Sequence, residues 1–212
     1  METSETAASA RGRGAGGPRT GRPYDRSSDA LILSGTLELL AERGYERLTV
    51  DEVAARTGKA KTTVYRRWAT KEDVVLAAIR AAGRPPESER LPDRGSLRSD
   101  LLAVVDSPWL GGPEMRMEIF AGLTSAGRSS ETLASVIRAE VTNPYVDVYL
   151  RLLTRAVDRG EVAAEFSARI PSLAQVIPAM TSHGLNAGNG RIQRGFFVSV
   201  IDDVVLAALH LP

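Results

Sequence analysis

Cysteine is absent from this chain, which rules out a disulfide framework and any thiolate nucleophile or soft metal ligand. Histidine is nearly so: there are two, His183 and His210, and they do not stand at metal-ligand spacing on one helix. Neither a Gly-x-Ser-x-Gly nucleophile elbow nor a phosphate-gripping Gly-x-x-x-x-Gly-Lys occurs. Asp202 and Asp203 are adjacent, so a helix would turn their carboxylates about 100° apart. With these routes to catalysis missing, the sequence predicts no enzyme, no cofactor and no metal. No apolar run reaches the ~18 residues of a membrane span, and the N-terminus lacks the apolar core of a signal peptide. A soluble, cytoplasmic protein that does not engage a membrane is expected. Strand alternation is lacking and the helical segments share no repeat, so the reading is all-α and not a solenoid.

A strong net charge is lacking as well, the 212 residues summing to +1, so there is no global basic signal. The length allows one modest domain plus a small one, and 43% hydrophobic residues are ample for a core. The basic charge is local instead. Between Arg43 and Lys71 there are eight basic residues against three acidic ones, and all three lysines of the chain, Lys59, Lys61 and Lys71, fall there. That is the arrangement expected when one face meets phosphates.

The same window, Leu48 to Val75, reads as two short helices split by a tight turn. Thr49 and Glu52 form a capping-box pair, and Leu48 and Val53 stand at the staple positions. Val53, Ala54 and Thr57 supply an inward face, and Gly58 opens the turn Gly58 to Ala60, where a positive φ costs glycine little. A second helix from about Lys61 to Trp68 puts Val64 and Trp68 on one face and points Thr62 and Arg66 the opposite way. Thr63 and Tyr65 flank the outward face, and Arg67 lies nearer the buried edge. Arg can take guanine bidentately, Thr can touch a thymine methyl, and Tyr or Lys can hold phosphate. A solvated face on an ordinary helical pair would have the same composition.

Upstream, Ile32, Thr36, Leu39 and Leu40 repeat at helical spacing, with a stop at Gly44 and Tyr45 packing behind it. Downstream, Thr70 and Asp73 repeat the capping signature and open a helix through Val74, Val75, Ala78 and Ile79. A compact helical unit over residues 24–83 follows. Residues 1–23, rich in Ala, Gly, Ser and Thr with four arginines, read as a disordered basic arm that trails on DNA or simply solubilises the chain. Gly12 to Gly17 satisfies Gly-x-Gly-x-x-Gly, but no strand precedes it and no helix directly follows. A Pro-rich connection over 84–96 precedes a larger helical domain over 97–212. Its helical patterns are Leu97–Val105, Glu114–Ser125, Glu131–Val141, Pro144–Arg159, Pro171–Leu185 and Arg191–Leu209.

In the last of these, Ile192, Phe196, Val200, Val204 and Val205 form an apolar stripe that Phe197, Ile201 and Ala208 widen. Such a stripe suits a subunit core or a dimer interface. Two copies of a single helix-turn-helix double the DNA contacts across half-sites about one turn apart. Trp109, Met115, Met117, Phe120, Tyr145, Tyr149 and Met180 are the side chains available to line an apolar pocket, with His183 or Asn143 as polar anchors. Each is equally accounted for as packing.

The run AERGYERLTVDEVAARTGKAKTTVYRRWATKEDVV resembles the N-terminal domain of the TetR family of transcriptional repressors. The resemblance rests on Gly44 with Tyr45, Thr49, Gly58, Thr63 with Tyr65, Trp68, and Lys71 with Glu72, and it covers roughly Ala30 to Ile79. Trp68 replaces the more frequent Phe, and Lys59 stands where an apolar residue is common. The resemblance implies base-edge or groove contacts for Lys61, Thr62 and Arg66, phosphate contacts for Thr49, Tyr65 and Lys71, and either for Thr63. Lys71 opens a helix, a poor place for a cation in the helix dipole, which a phosphate partner would explain.

The resemblance further implies a homodimer on a palindromic double-stranded DNA operator, joined through the last two helices by Ile192, Phe196, Phe197, Val200, Ile201 and Val204. It also implies a pocket for a small apolar or amphipathic effector, lined by Trp109, Met117, Phe120, Tyr145, Tyr149, Met180 and His183. The effector would release the repressor by shifting the helix Lys71 to Ala82. The other reading is a DNA-binding activator or architectural protein whose C-terminal domain binds a protein rather than a small molecule. A closed apolar cavity between the middle helices would favour the first reading, and a solid core with an exposed groove the second.

Overall fold

The computed structural model describes residues 26–82, 90–187 and 192–211. The basic arm expected over residues 1–23 and much of the connection expected over 84–96 lie outside the described residues. Everything described is helix, turn or loop, with no strand, and no helix there is long and apolar enough to cross a membrane.

The first helix, α1 (Arg26–Arg47), buries Ile32, Leu39 and Leu40, and buried Thr36 keeps its hydroxyl satisfied by donating to the Ile32 carbonyl at 2.8 Å. Gly44 breaks the helical run with φ of 72°, and Tyr45 turns inward behind it as its spacing predicted. The capping box opens α2 (Val50–Arg56): the Thr49 amide donates to Glu52 Oε2 at 3.1 Å, and the Glu52 amide donates to Thr49 Oγ1 at 3.2 Å. A left-handed Gly58, φ 63°, turns the chain into α3 (Lys61–Tyr65). The Thr70–Asp73 pair caps α4 (Lys71–Ala82) in the same reciprocal way.

The second half begins with α5 (Leu97–Val105), capped by Ser96, and continues through α6 (Pro113–Ser129). Next come α7 (Glu131–Ile137) and α8 (Asn143–Asp158), which sequence spacing separates but the structure joins through a wide π-helical turn, Arg138–Thr142. Pro144 is the cause, because it has no amide proton for the ordinary ladder. The chain widens by one residue there, and the Asn143 amide reaches the Arg138 carbonyl.

The segment expected as one helix over Pro171–Leu185 divides, with Pro171 in the first turn of the short α9 (Ile170–Leu173), followed by α10 (Val176–Asn186). The last helix, α11 (Arg194–Ser199), continues as a π-helical stretch, Val200–Leu206. Buried Asp100, 1% exposed, ties α5 to α8 by accepting from Arg155 at 2.7 Å and Arg159 at 3.2 Å.

One buried apolar cluster runs through both halves. The helix-turn-helix unit is seated on the rest at three places. At the first, α1 crosses α6 so closely at Gly122 that a Cβ there would sit 2.7 Å from the Leu40 carbonyl oxygen. At the second, the Ser130 hydroxyl donates to Glu72 of α4 at 3.0 Å, and Ser129 donates to Glu46. At the third, the Trp109 indole N–H donates to the carbonyl of Ala82, the last residue of α4, at 3.0 Å. Gly122→Ala should push α1 off α6 and cost about 1 to 3 kcal/mol, the usual range for overpacking. Urea unfolding checks this, and an unchanged midpoint would mean that the crossing is loose.

Candidate nucleic-acid interface and the cavity behind it

A five-residue helix has no stability of its own, so α3 stands only because its inner side is held. Val64 is fully buried and Trp68 packs on the core. Arg67 Nε lies 2.5 Å from Asp29 Oδ1 of α1, both side chains about one-seventh exposed. The helix stops at Tyr65 rather than at Trp68, where the spacing placed its end. The Val64 carbonyl serves the amides of both Arg67 and Trp68 at 2.9 Å, which tightens the chain, returns Trp68 to the core and frees Thr70 to cap α4.

With Val64 inward, helical geometry turns Lys61, Thr62, Tyr65 and Arg66 to solvent, and Thr63 lies half-buried at the edge. Four of the residues expected on the DNA side therefore share one exposed face. Lys61 Nζ sits 2.5 Å from Asp51 Oδ2, and the Tyr65 hydroxyl is 3.5 Å from the other oxygen of the same carboxylate. The hydrogen bond that Lys61 donates to Asp51, helped by the charge of that carboxylate, holds Lys61 above the ordinary lysine range. The Lys61 side chain is 63% exposed, so solvent screens this pair and a phosphate can compete for the ammonium. Arg56 is turned away from the face, pairing with Glu42 at 2.6 Å and Glu38 at 3.5 Å to hold α2 on α1.

Two expected phosphate contacts sit differently. Thr49 is exposed, but its side chain is engaged in the cap of α2. Lys71 Nζ donates to the carbonyls of Tyr45 at 3.0 Å and Glu46 at 3.3 Å, and it lies 4.2 Å from the centre of the Tyr45 ring. The Lys71 ammonium thus has partners within the chain. Lys71 begins its own helix, yet its charge rests against the carbonyl end of α1, where a cation is stabilising.

Behind this unit a cavity of about 450 Å³ opens between α6, the π-helical turn, α8 and α10. Met117, Phe120, Tyr145 and Tyr149 line it as their types suggested. Trp109 stands behind them, its ring centre 5.7 Å from Tyr145 and 6.4 Å from Phe120. Met180 and His183 do not line the cavity; both are exposed. One residue is 100° of helix, and α10 gives the cavity Ile177, Pro178, Thr181 and Leu185 instead. Asn143 is exposed and outside the lining, and Met115 is also outside it, packed against Gly111. Sequence reasoning missed Arg116, which reads as an exposed charge between Met115 and Met117 but is buried and lines the cavity.

The expected dimer residues divide too. Phe197, Val200 and Ile201 are 6%, 3% and 0% exposed within their own subunit, and Phe197 lines the cavity, so these three are core rather than free surface. A stripe that wide serves both purposes, and its inner half faces inward. Val204 is 38% exposed, with Ile192 and Phe196 half-buried.

Residues 32–78 match the family described as bacterial regulatory proteins, tetR family, and residues 91–204 match the tetracyclin repressor-like C-terminal domain. A protein of Mycobacteroides abscessus named DNA-binding transcriptional repressor TetR is 32% identical over 181 residues, 85% of this chain and 93% of its own length. An uncharacterized HTH-type transcriptional regulator of Mycobacterium tuberculosis is 33% identical over 196 residues, 89% of this chain and 93% of its own. Among solved structures, Salmonella enterica GusR has the same fold, with a TM-score of 0.65 at 14% identity over 90% of this chain and all of its own.

Lys71→Met separates the two roles open to that side chain. Loss of about 1 kcal/mol at the α1 terminus should lower the melting temperature by about 2 to 4 °C. An unchanged melting temperature, with a salt slope of DNA binding lower by about one per subunit, would return Lys71 to the phosphate contacts.

Proposed function

The chain belongs to the TetR family of bacterial regulatory proteins, which are DNA-binding transcriptional regulators, and we propose that it is a homodimeric repressor released by a small molecule. In this reading each subunit lays the Lys61–Arg66 face in a major groove of a palindromic operator. The observation that carries the reading is the α3 face itself: one side is anchored by Val64, and the other offers a hydroxyl, a phenol, an ammonium and a guanidinium to solvent. The repressor sense is supported by the Mycobacteroides abscessus relative, whose name carries it.

The cavity between the middle helices is partly open rather than closed, and its apolar lining within a core that is not solid supports small-molecule control over docking of a protein. Its volume is in the range of cofactor and drug-sized sites. The route to the DNA side is short. Phe120 and Tyr145 line the cavity and touch Trp109, whose N–H holds the end of α4 at Ala82, and α4 follows α3 by a single turn. A ligand that re-seats these rings alters the anchor of α4 and with it the separation of the two α3 helices. Coupling of about 1 to 3 kcal/mol changes affinity roughly 5- to 150-fold, so one rearranged contact of this size is sufficient.

In this reading the dimer forms through the outward side of the last two helices. Met180 and Val204 are large apolar side chains left 37% and 38% exposed, with exposed Ala207 after the π-helical stretch. Small and apolar residues on two neighbouring helices suit a four-helix contact with a second copy. Val204→Glu is tolerable in a single subunit because the position is open. It should give monomers in sedimentation and weaken operator binding about a hundredfold or more, since linked binding modules gain 10²- to 10⁴-fold. A dimer that survives the substitution with full affinity would move the interface to another face.

A further inference from the structure

The cavity's charge is unbalanced. Its lining includes two arginines, Arg116 and Arg138, and no acidic residue. Arg138 belongs to the rim, 59% exposed and paired with Glu131 at 3.1 Å. Arg116 belongs to the interior, only 3% exposed. Among the described residues no carboxylate lies within ion-pair distance of it. Asp106, the acid that feels its charge, has both oxygens engaged by Arg194 at 2.7 and 2.8 Å.

What holds Arg116 in place is the backbone. Its Nη1 donates to the Ser107 carbonyl at 3.1 Å and its Nη2 to the Val105 carbonyl, at the C-terminal end of α5. These bonds fix the orientation of the guanidinium and offset part of its charge without supplying a counter-ion, and they use two of its five N–H donors. The remaining donors meet no acceptor among the described residues. A buried cation without a counter-ion is costly, and an anion at the site would relieve that cost.

Of the uncharged polar groups of the wall, Thr124 and Thr181 spend their hydroxyl protons on the carbonyls of Phe120 and Ile177, at 2.8 and 2.7 Å, and the Gln175 amide donates to the Pro171 carbonyl at 3.2 Å. Met117, Phe120, Tyr145 and Tyr149 give the chamber an apolar, aromatic body.

We infer that the cavity takes an amphipathic organic monoanion, a carboxylic acid with an aromatic or aliphatic body, whose carboxylate docks on Arg116 while its body lies among the four aromatic and methionine side chains. This rests on the proposed ligand-release function and adds the chemical class of the ligand. A planar carboxylate matches the fork of a guanidinium. A phosphate ester would carry a second charge, for which the interior holds no second cation. An amine would meet a buried positive charge and no acid.

Three probes of one shape test it on the full-length protein by calorimetry at neutral pH: 2-naphthoate, 2-naphthylmethanol and 2-naphthylmethylammonium. The naphthoate should bind at least tenfold more tightly than the alcohol, and the ammonium should not bind. Arg116→Met should lose that tenfold preference and bind acid and alcohol alike. The wild-type comparison stands by itself if this variant folds poorly, and Arg116→Lys, which keeps the charge without the fork, should retain part of the preference. Acid and alcohol binding the wild type equally would overturn the anion assignment and leave the ligand site standing. Failure of all three probes to bind would overturn the ligand-site reading and this inference with it.

Discussion

Burial of Val64 is the constraint on which the rest of this structure depends. A helix of five residues forms here because one side chain at its middle is wholly enclosed, with Trp68 packed beside it and the Arg67–Asp29 pair closing the edge. Once that side is fixed, 3.6 residues per turn leave no choice for Thr62 and Arg66, which must face away. The exposed surface proposed to meet DNA is therefore a consequence of packing on the other side of the helix, and its rigidity comes from α1, α2 and α4 rather than from α3 itself.

The same packing makes α4 the element both halves share. Its first residue, Lys71, closes the carbonyl end of α1; Glu72 bonds to Ser130 at the cap of α7; and Ala82 is held by Trp109. A single hydrogen bond nets about 1 kcal/mol, which is the scale of coupling the proposed mechanism needs. Cavity, indole and α4 are thus placed in physical sequence, and the close crossing at Gly122 keeps α1 from yielding instead. Arg116 belongs to the same construction, since its guanidinium binds the end of α5 and its side chain is part of the cavity wall.

Features set by neighbours in the chain were legible in the sequence. Both capping boxes, the stops at Gly44 and Gly58, and the bounds of α5 follow from residues three or four positions apart. The inward pair Val64 and Trp68 was legible for the same reason. Features set by distant packing were not. The π-helical turn answers to Pro144 and the helix it joins, and the end of α3 answers to where Trp68 must go.

Helical phase is coarse, at 100° per residue, so Met180 and His183 could not be told from Thr181 and Leu185 without knowing which side of α10 meets α6. Lys71 and Arg116 share a different difficulty. Each is a cation satisfied by carbonyls at the end of a helix remote in sequence, and carbonyls leave no trace in side-chain patterns.

The central claim is that the Thr62–Arg66 side of α3 enters the major groove, and methylation interference on a bound DNA fragment reads that directly. Guanine N7 lies in the major groove and adenine N3 in the minor. The account expects guanine N7 methylation to block binding in two clusters about one helical turn apart, one for each α3 of the dimer. Interference confined to adenine N3, or protein bound equally well to fully methylated fragments, would contradict it.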